Sequence, residues 1–152
     1  MWIDTHAHFD APEFDASRAD DWARAQALGV AAQVVPSVAP FNFDTVVDMA
    51  RGYPCTAYAL GIHPMYVDPL GDDALVLLRG AIERQIDDPK LVAIGEIGLD
   101  GFIKNTDMAK QIKFYQAQLK LAREFDLPVI LHVRHAQDTV IKYLRQYSIE
   151  NG

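Results

Sequence analysis

The sequence predicts an α/β fold built on a parallel sheet, and three observations predict it. Five short, β-rich apolar runs recur at residues 2–9, 31–38, 56–63, 91–99 and 128–134. Segments with helical spacing separate them, and strict alternation of strand and helix implies a parallel sheet with crossover connections. The runs are hydrophobic almost throughout, as strands are when both faces are covered. No Gly-x-Gly-x-x-Gly follows the first run, so a dinucleotide-binding fold loses its usual support.

Each intervening segment carries its own signals. Ser17 can cap the start of the first helix, and Gly29 stands where a helix ends in a left-handed residue. In the third helix Leu75, Leu78, Ile82 and Ile86 step along one face. The clearest helix spans residues 106–126, with Met108, Ile112, Tyr115, Leu119 and Ala122 spaced by threes and fours. A last helix is expected from residue 136 to about 147.

Composition bounds the rest. The 152 residues are half apolar, and the 23% that are charged are spread along the chain without linker, repeat or charge block. One domain covering residues 1–152 is expected. The formal net charge of -7 argues against nucleic-acid affinity driven by a broad basic surface. It leaves a phosphate substrate open, because bound metal ions can supply local positive charge. The single cysteine, Cys55, cannot form an internal disulfide. No stretch reads as a signal peptide or a membrane span, so a soluble cytoplasmic protein is expected.

The placement of polar residues carries the functional signal. The first strand ends His6-Ala7-His8, the third His63-Pro64 and the fifth His132-Val133-Arg134-His135, while the fourth carries Gly95-Glu96-Ile97-Gly98-Leu99-Asp100. Active sites of parallel α/β folds are built at such C-terminal strand ends. Alternation along a strand lets His6 and His8 project together and grip one cation. It also puts Glu96 on one face with Gly98 and Asp100, and His132 with Arg134. If these faces point inward, His6, His8, Glu96, His132 and Arg134 converge. Imidazoles and carboxylates ligate Zn²⁺, Mn²⁺ and similar ions. A pair of such ions suits phosphoester hydrolysis. The planar fork of Arg134 suits a phosphate oxygen. Bland readings stand beside these. His-x-His is a weak motif, Glu96 can be a surface carboxylate, and His63 can simply end a strand. His135 reads as flanking the last helix, and Asp4 as structural support.

Ile3-Asp4-Thr5-His6-Ala7-His8-Phe9-Asp10, Gly61-Ile62-His63-Pro64, Gly95-Glu96-Ile97-Gly98-Leu99-Asp100 and Leu127-Pro128-Val129-Ile130-Leu131-His132-Val133-Arg134 resemble, in order and approximate spacing, the TatD family of metal-dependent hydrolases. Gln111, Phe114 and Gln118, then Leu121-Ala122, are similar to that family's helix before the fifth strand. The resemblance implies a TIM-type (β/α)₈ barrel of the amidohydrolase kind, truncated here to about five β/α units. It implies hydrolysis of phosphodiester bonds, in DNA or a small phosphodiester, by an exonuclease-like nuclease with two divalent ions (Mg, Mn or Zn). His6 and His8 would hold one ion, the catalytic Glu96 would bridge, and His132 would hold the second. His63 and Arg134 would contact the substrate phosphate or line its pocket, and Asp100 would support the metal loop. Family members add a histidine after the sixth strand and an aspartate after a later one. The chain stops at Gly152, before either, so weak hydrolysis and self-association are expected of these residues alone. Amide- or lactone-cleaving amidohydrolases often bridge their metals with a carboxylated lysine, and the fourth strand offers Glu96 instead. Phosphoesterases of the PHP type share the opening Asp-x-His-x-His but not the Gly-Glu-Ile-Gly-Leu-Asp run. A fragment that binds metal without catalysis is the remaining alternative.

Overall fold

The structure is a computed structural model that describes residues 1–147. Five parallel strands lie in chain order β1-β2-β3-β4-β5. They are β1 (Trp2–Asp4), β2 (Val30–Pro36), β3 (Thr56–Leu60), β4 (Leu91–Asp100) and β5 (Val129–Arg134). The crossovers are α1 (Arg18–Ala27), α2 (Phe43–Gly52), α3 (Asp73–Gln85) and α4 (Met108–Glu124), and α5 (Gln137–Tyr147) follows the last strand. The sheet curls into half a barrel, in keeping with a parallel strand order that never reverses. Every strand therefore delivers its C-terminal end to the same rim.

The helices form where the sequence places an apolar stripe. Phe114, Tyr115, Leu119 and Ala122 turn one face of α4 inward and are fully buried. Burying each of the three larger side chains stabilises the fold by about 1.5–3 kcal/mol. Asp107 caps α4 by accepting the Lys110 N–H at 3.0 Å, so this helix starts two residues later than its periodicity predicts. In α3, Leu78 and Ile82 are buried as expected, but Ile86 lies beyond the helix and is exposed. Ser17 occupies the N-cap position of α1, yet its hydroxyl donates to Asp21 Oδ2 (2.6 Å) and accepts no backbone N–H of the first turn. Gly29 takes its expected left-handed conformation after α1, with φ of +98°.

Two departures in the strands shape the rim. β1 ends at Asp4, well short of the residue 9 that apolar patterning predicts. Asp4 Oδ1 accepts the His6 N–H at 3.1 Å and turns the chain out of the ladder. The Ala7 N–H then returns to Val34 O (3.0 Å). In β4 the register slips between Ile94, paired with Val129, and Ile97, paired with Leu131. Three steps on β4 oppose two on β5, which is a β-bulge centred on Gly95-Glu96.

Candidate metal centre

Glu96 stands at the middle of the rim, 6% exposed and ringed by imidazoles. Its Oε2 lies 2.9 Å from His6 Nε2 and 3.3 Å from His8 Nε2. Its Oε1 lies 3.0 Å from His132 Nδ1 and 3.5 Å from His63 Nε2. Each oxygen thus belongs to a different pair of histidines. The bulge makes this presentation achievable, because it re-aims the side chain at that point of an otherwise regular strand. The chain folds His6 and His8 together through the Asp4 turn and the Ala7–Val34 bond. Their Nε2 atoms are 3.3 Å apart although both residues lie beyond the strand. Alternation within a strand, the basis on which they were expected to converge, is not what brings them together.

Neighbouring groups fix how the other two imidazoles present themselves. His132 Nε2 faces Asp100 Oδ2 at 2.9 Å, and Asp100 is completely buried. A carboxylate there keeps the ring proton on Nε2 and leaves the Nδ1 lone pair for the Glu96 side. Asp100 Oδ1 accepts the N–H groups of Phe102 (2.9 Å) and Ile103 (3.2 Å), which tie down the following loop. His63 is buried at the head of a short 3₁₀ turn, Pro64–Tyr66, where its Nδ1 accepts the Met65 N–H (3.2 Å). The neutral ring then carries its proton on Nε2, which faces His132 Nδ1 at 3.0 Å.

Electrostatics agree with the contacts. Burial pushes the Glu96 carboxyl up, but hydrogen bonds from His132, His63 and His8 overcome it and hold the group far below the usual carboxylate range. The hydrogen bond to Glu96 raises the pKa of His8 and of His132 against their partial burial. Burial likewise raises Asp100, and its bonds with His132, Phe102 and Ile103 bring it down below normal.

Among the described residues the ligand-type atoms form two trios, His6/His8/Glu96 and His63/Glu96/His132, each with its atoms within 4.8 Å of one another. The donor chemistry fits divalent ions: nitrogen lone pairs and carboxylate oxygens, on rings fixed from behind. Two nitrogens bound tetrahedrally to one zinc lie about 3.3 Å apart, the spacing His6 and His8 show. Arg134 does not join the trios. Its guanidinium sits 3.8 Å above the Phe102 ring at the edge of the rim, where His135 packs against the other side chain of that pair, Phe102. A groove of about 650 Å³ between α3 and α4 lies on the outer helix layer and is lined by Leu75, Val76, Ile112 and long charged side chains, without a ligand-type cluster among the described residues.

Sequence reasoning missed the Asp100–His132 contact, the bulge and the Met65 bond that orients His63. Only the bulge had a signal, the pair of glycines inside a strand. Gly98 has φ of +140° and is paired with His132. A Cβ there would fall well inside contact distance of the His132 carbonyl oxygen.

The family model for TatD related DNase matches residues 3–152. The chain belongs to the TatD family. It is 38% identical over 97% of its length to the uncharacterized metal-dependent hydrolase YjjV of Escherichia coli K12. The crystal structure of YjjV superposes with a TM-score of 0.93 over 98% of this chain and 57% of that one. The 3'-5' ssDNA/RNA exonuclease TatD of Erwinia tasmaniensis is 30% identical over 95% of this chain. A TatD family hydrolase from Entamoeba histolytica, 22% identical, shares the fold with a TM-score of 0.84. The chain spans 56% and 55% of the two curated relatives, a little over half of each. The half-barrel seen here is also the fold of the matched portion of YjjV.

Proposed function

We propose that this chain carries the greater part of the active site of a metal-dependent phosphodiesterase that cleaves nucleic acid. The observation that carries the reading is the division of labour in Glu96, whose two oxygens each face a separate histidine pair. A carboxylate so placed is built to bridge two cations. His6 and His8 would hold one ion, and His132, through Nδ1, the other. Divalent ions in such a pair supply an activated water and offset charge on the attacking and leaving oxygens.

The chain's own residues do the remaining work. Asp100 holds the proton of His132 on Nε2, so that Nδ1 stays a ligand. His63, with its proton on Nε2, is a donor toward a phosphate oxygen and not a third ligand. Arg134 swings from Phe102 to the phosphate, where its fork matches two oxygens. The ssDNA/RNA exonuclease name of one relative and the DNase name of the family support nucleic acid as the substrate class, and DNA is the nucleic acid we assign. The acidic chain relies on bound cations to meet a polyanion. β4 contains no lysine that could be carboxylated, which disfavours amide and lactone hydrolysis. No helix among the described residues is long and apolar enough to cross a membrane, and the setting we assign is the cytoplasm.

The test is Glu96→Gln. The amide bridges two cations poorly and leaves their charges mutually repulsive. Calorimetry with Mn²⁺ should show loss of one binding event, and hydrolysis of single-stranded DNA should fall by at least about a hundredfold. Wild-type metal stoichiometry together with wild-type turnover would refute the bridging role.

A further inference from the structure

One side of the rim is apolar. From His8 and His63 a cleft of about 460 Å³ opens between the turn after β2 and the turn after β3. That volume lies within the range of about 300–1,000 Å³ typical of small-molecule sites. Phe41 and Tyr66 form one wall, with ring centroids 5.8 Å apart and planes tilted by 52°. Phe41 is 72% exposed and Tyr66 is 42% exposed. Tyr66 also meets His63 edge-on at 6.1 Å, so the aromatic wall is continuous with the polar centre.

Both rings are presented on pinned turns. Asn42, next to Phe41, is buried, and its Oδ1 accepts the N–H groups of Val38 (3.0 Å) and Ala39 (3.2 Å). Its Nδ2 donates to Asp10 Oδ2 at 2.8 Å, which ties the turn to the loop that follows β1. The Tyr66 N–H donates to the carbonyl of His63 at 3.0 Å. Two aromatic rings held in water by rigid turns contribute little to the core. Beside the polar centre, they leave ring faces open on which a planar ligand can stack.

Charge narrows the choice. With 14 Lys and Arg against 21 Asp and Glu, the chain gains little affinity for nucleic acid from counterion release. Stacking is the other general source of affinity, and it tolerates any base.

We propose that the cleft is a nucleobase subsite. The base adjoining the phosphate at Glu96 stacks on Phe41 and Tyr66, while His63, at the inner end of the cleft, reaches that phosphate. This inference rests on the phosphodiesterase reading above and adds the residues that hold the base.

The experiment compares two fluorescently labelled oligonucleotides in Mn²⁺. They are identical except that one has an abasic residue beside the terminal phosphodiester. A phosphorothioate at that linkage slows cleavage during binding measurements. Wild-type protein should bind the base-bearing strand about 5- to 150-fold tighter, the range expected for one stacked base. Phe41→Ala combined with Tyr66→Ala should erase that preference, and Phe41→Trp should retain it. The preference should also persist at high salt, where purely ionic contacts fade. Circular dichroism checks that the variants are folded, and Tyr66→Leu offers a milder change of shape. A double variant that keeps the wild-type preference, or a wild type without one, overturns the subsite while leaving phosphodiester hydrolysis standing. If wild-type protein neither binds nor cleaves either strand, the phosphodiesterase reading fails, and the subsite fails with it.

Discussion

Asp100→Asn isolates what a carboxylate does for the metal centre without touching a proposed ligand. Asp100 accepts from His132 Nε2 through one oxygen and from the N–H groups of Phe102 and Ile103 through the other. An amide has a single acceptor atom. Turned toward the loop it keeps both backbone bonds; turned toward His132 it keeps one bond and sets its own NH₂ against the two backbone donors, which are only part-buried. Each bond contributes about 1 kcal/mol net, so two retained bonds outweigh one. The first orientation therefore wins. The NH₂ then points at His132 Nε2, which must become an acceptor, and the ring proton moves to Nδ1. That nitrogen lies 3.0 Å from Glu96 and is the proposed ligand. Metal affinity should fall by about 10- to 100-fold, or about 1.4–2.7 kcal/mol, with the fold intact. Calorimetric titration with Zn²⁺ or Mn²⁺ measures the loss, and ¹⁵N NMR of the His132 ring reports the tautomer. Unchanged affinity with Nδ1 still unprotonated would refute the reasoning.

Gly98→Ala should destabilise the protein by about 2–5 kcal/mol. The residue would be strained at φ of +140° and would overlap the His132 carbonyl. Urea denaturation checks this, and a loss under 1 kcal/mol would mean that β4 and β5 separate easily. The histidine cluster predicts a pH dependence for metal-free protein. His8 and His132 have folded pKa values raised above the ordinary 6.5, chiefly by Glu96. The stability they contribute is complete below about pH 6.5 and is lost as pH rises through the raised values. Melting temperature in EDTA should fall over that window, while stabilisation by added Zn²⁺ grows because ligation needs neutral rings. A flat profile would contradict the ion pairing. Arg134→Lys should raise KM for a phosphodiester more than it lowers kcat, because charge is kept and the fork is lost. An unchanged KM would leave Arg134 with Phe102 alone.

The five-strand order and the set of rim residues were legible because both follow from simple patterns. Apolar runs alternate with helical periodicity, and ligand-type side chains sit where those runs stop. What eluded the sequence was geometry that no local pattern encodes. The convergence of His6 and His8 depends on Asp4 capturing a backbone N–H two residues on, a bond that competes with strand extension. The aim of Glu96 depends on an extra residue opposite β5, visible only once the partner strand is known. Asp100 was expected to support the metal loop. Its bonds to Phe102 and Ile103 hold the loop that follows β4, while its hold on His132 crosses 32 positions and joins two strands. Phe41 drew no notice, since an isolated aromatic residue in a turn carries no period.

Two glutamines on α4 have a wider consequence. Gln118 pairs with both the N–H and the C=O of Ile62, at 2.7 and 3.1 Å, one residue before His63. Gln111, two turns earlier, grips Asp100 in the same way at 2.9 and 3.4 Å. Each amide imitates a neighbouring strand and reads only main chain. One rod therefore sets the separation between the third and fourth strand ends, and it is blind to the side chains mounted there. A change of side chain at 62 or 100 leaves the glutamine bonds themselves in place, so the main-chain mounting does not depend on which groups it carries. Exchange of either glutamine for leucine strands two main-chain groups in a dry interior and shifts the rim that carries the candidate metal centre, to which the helix contributes no ligand of its own.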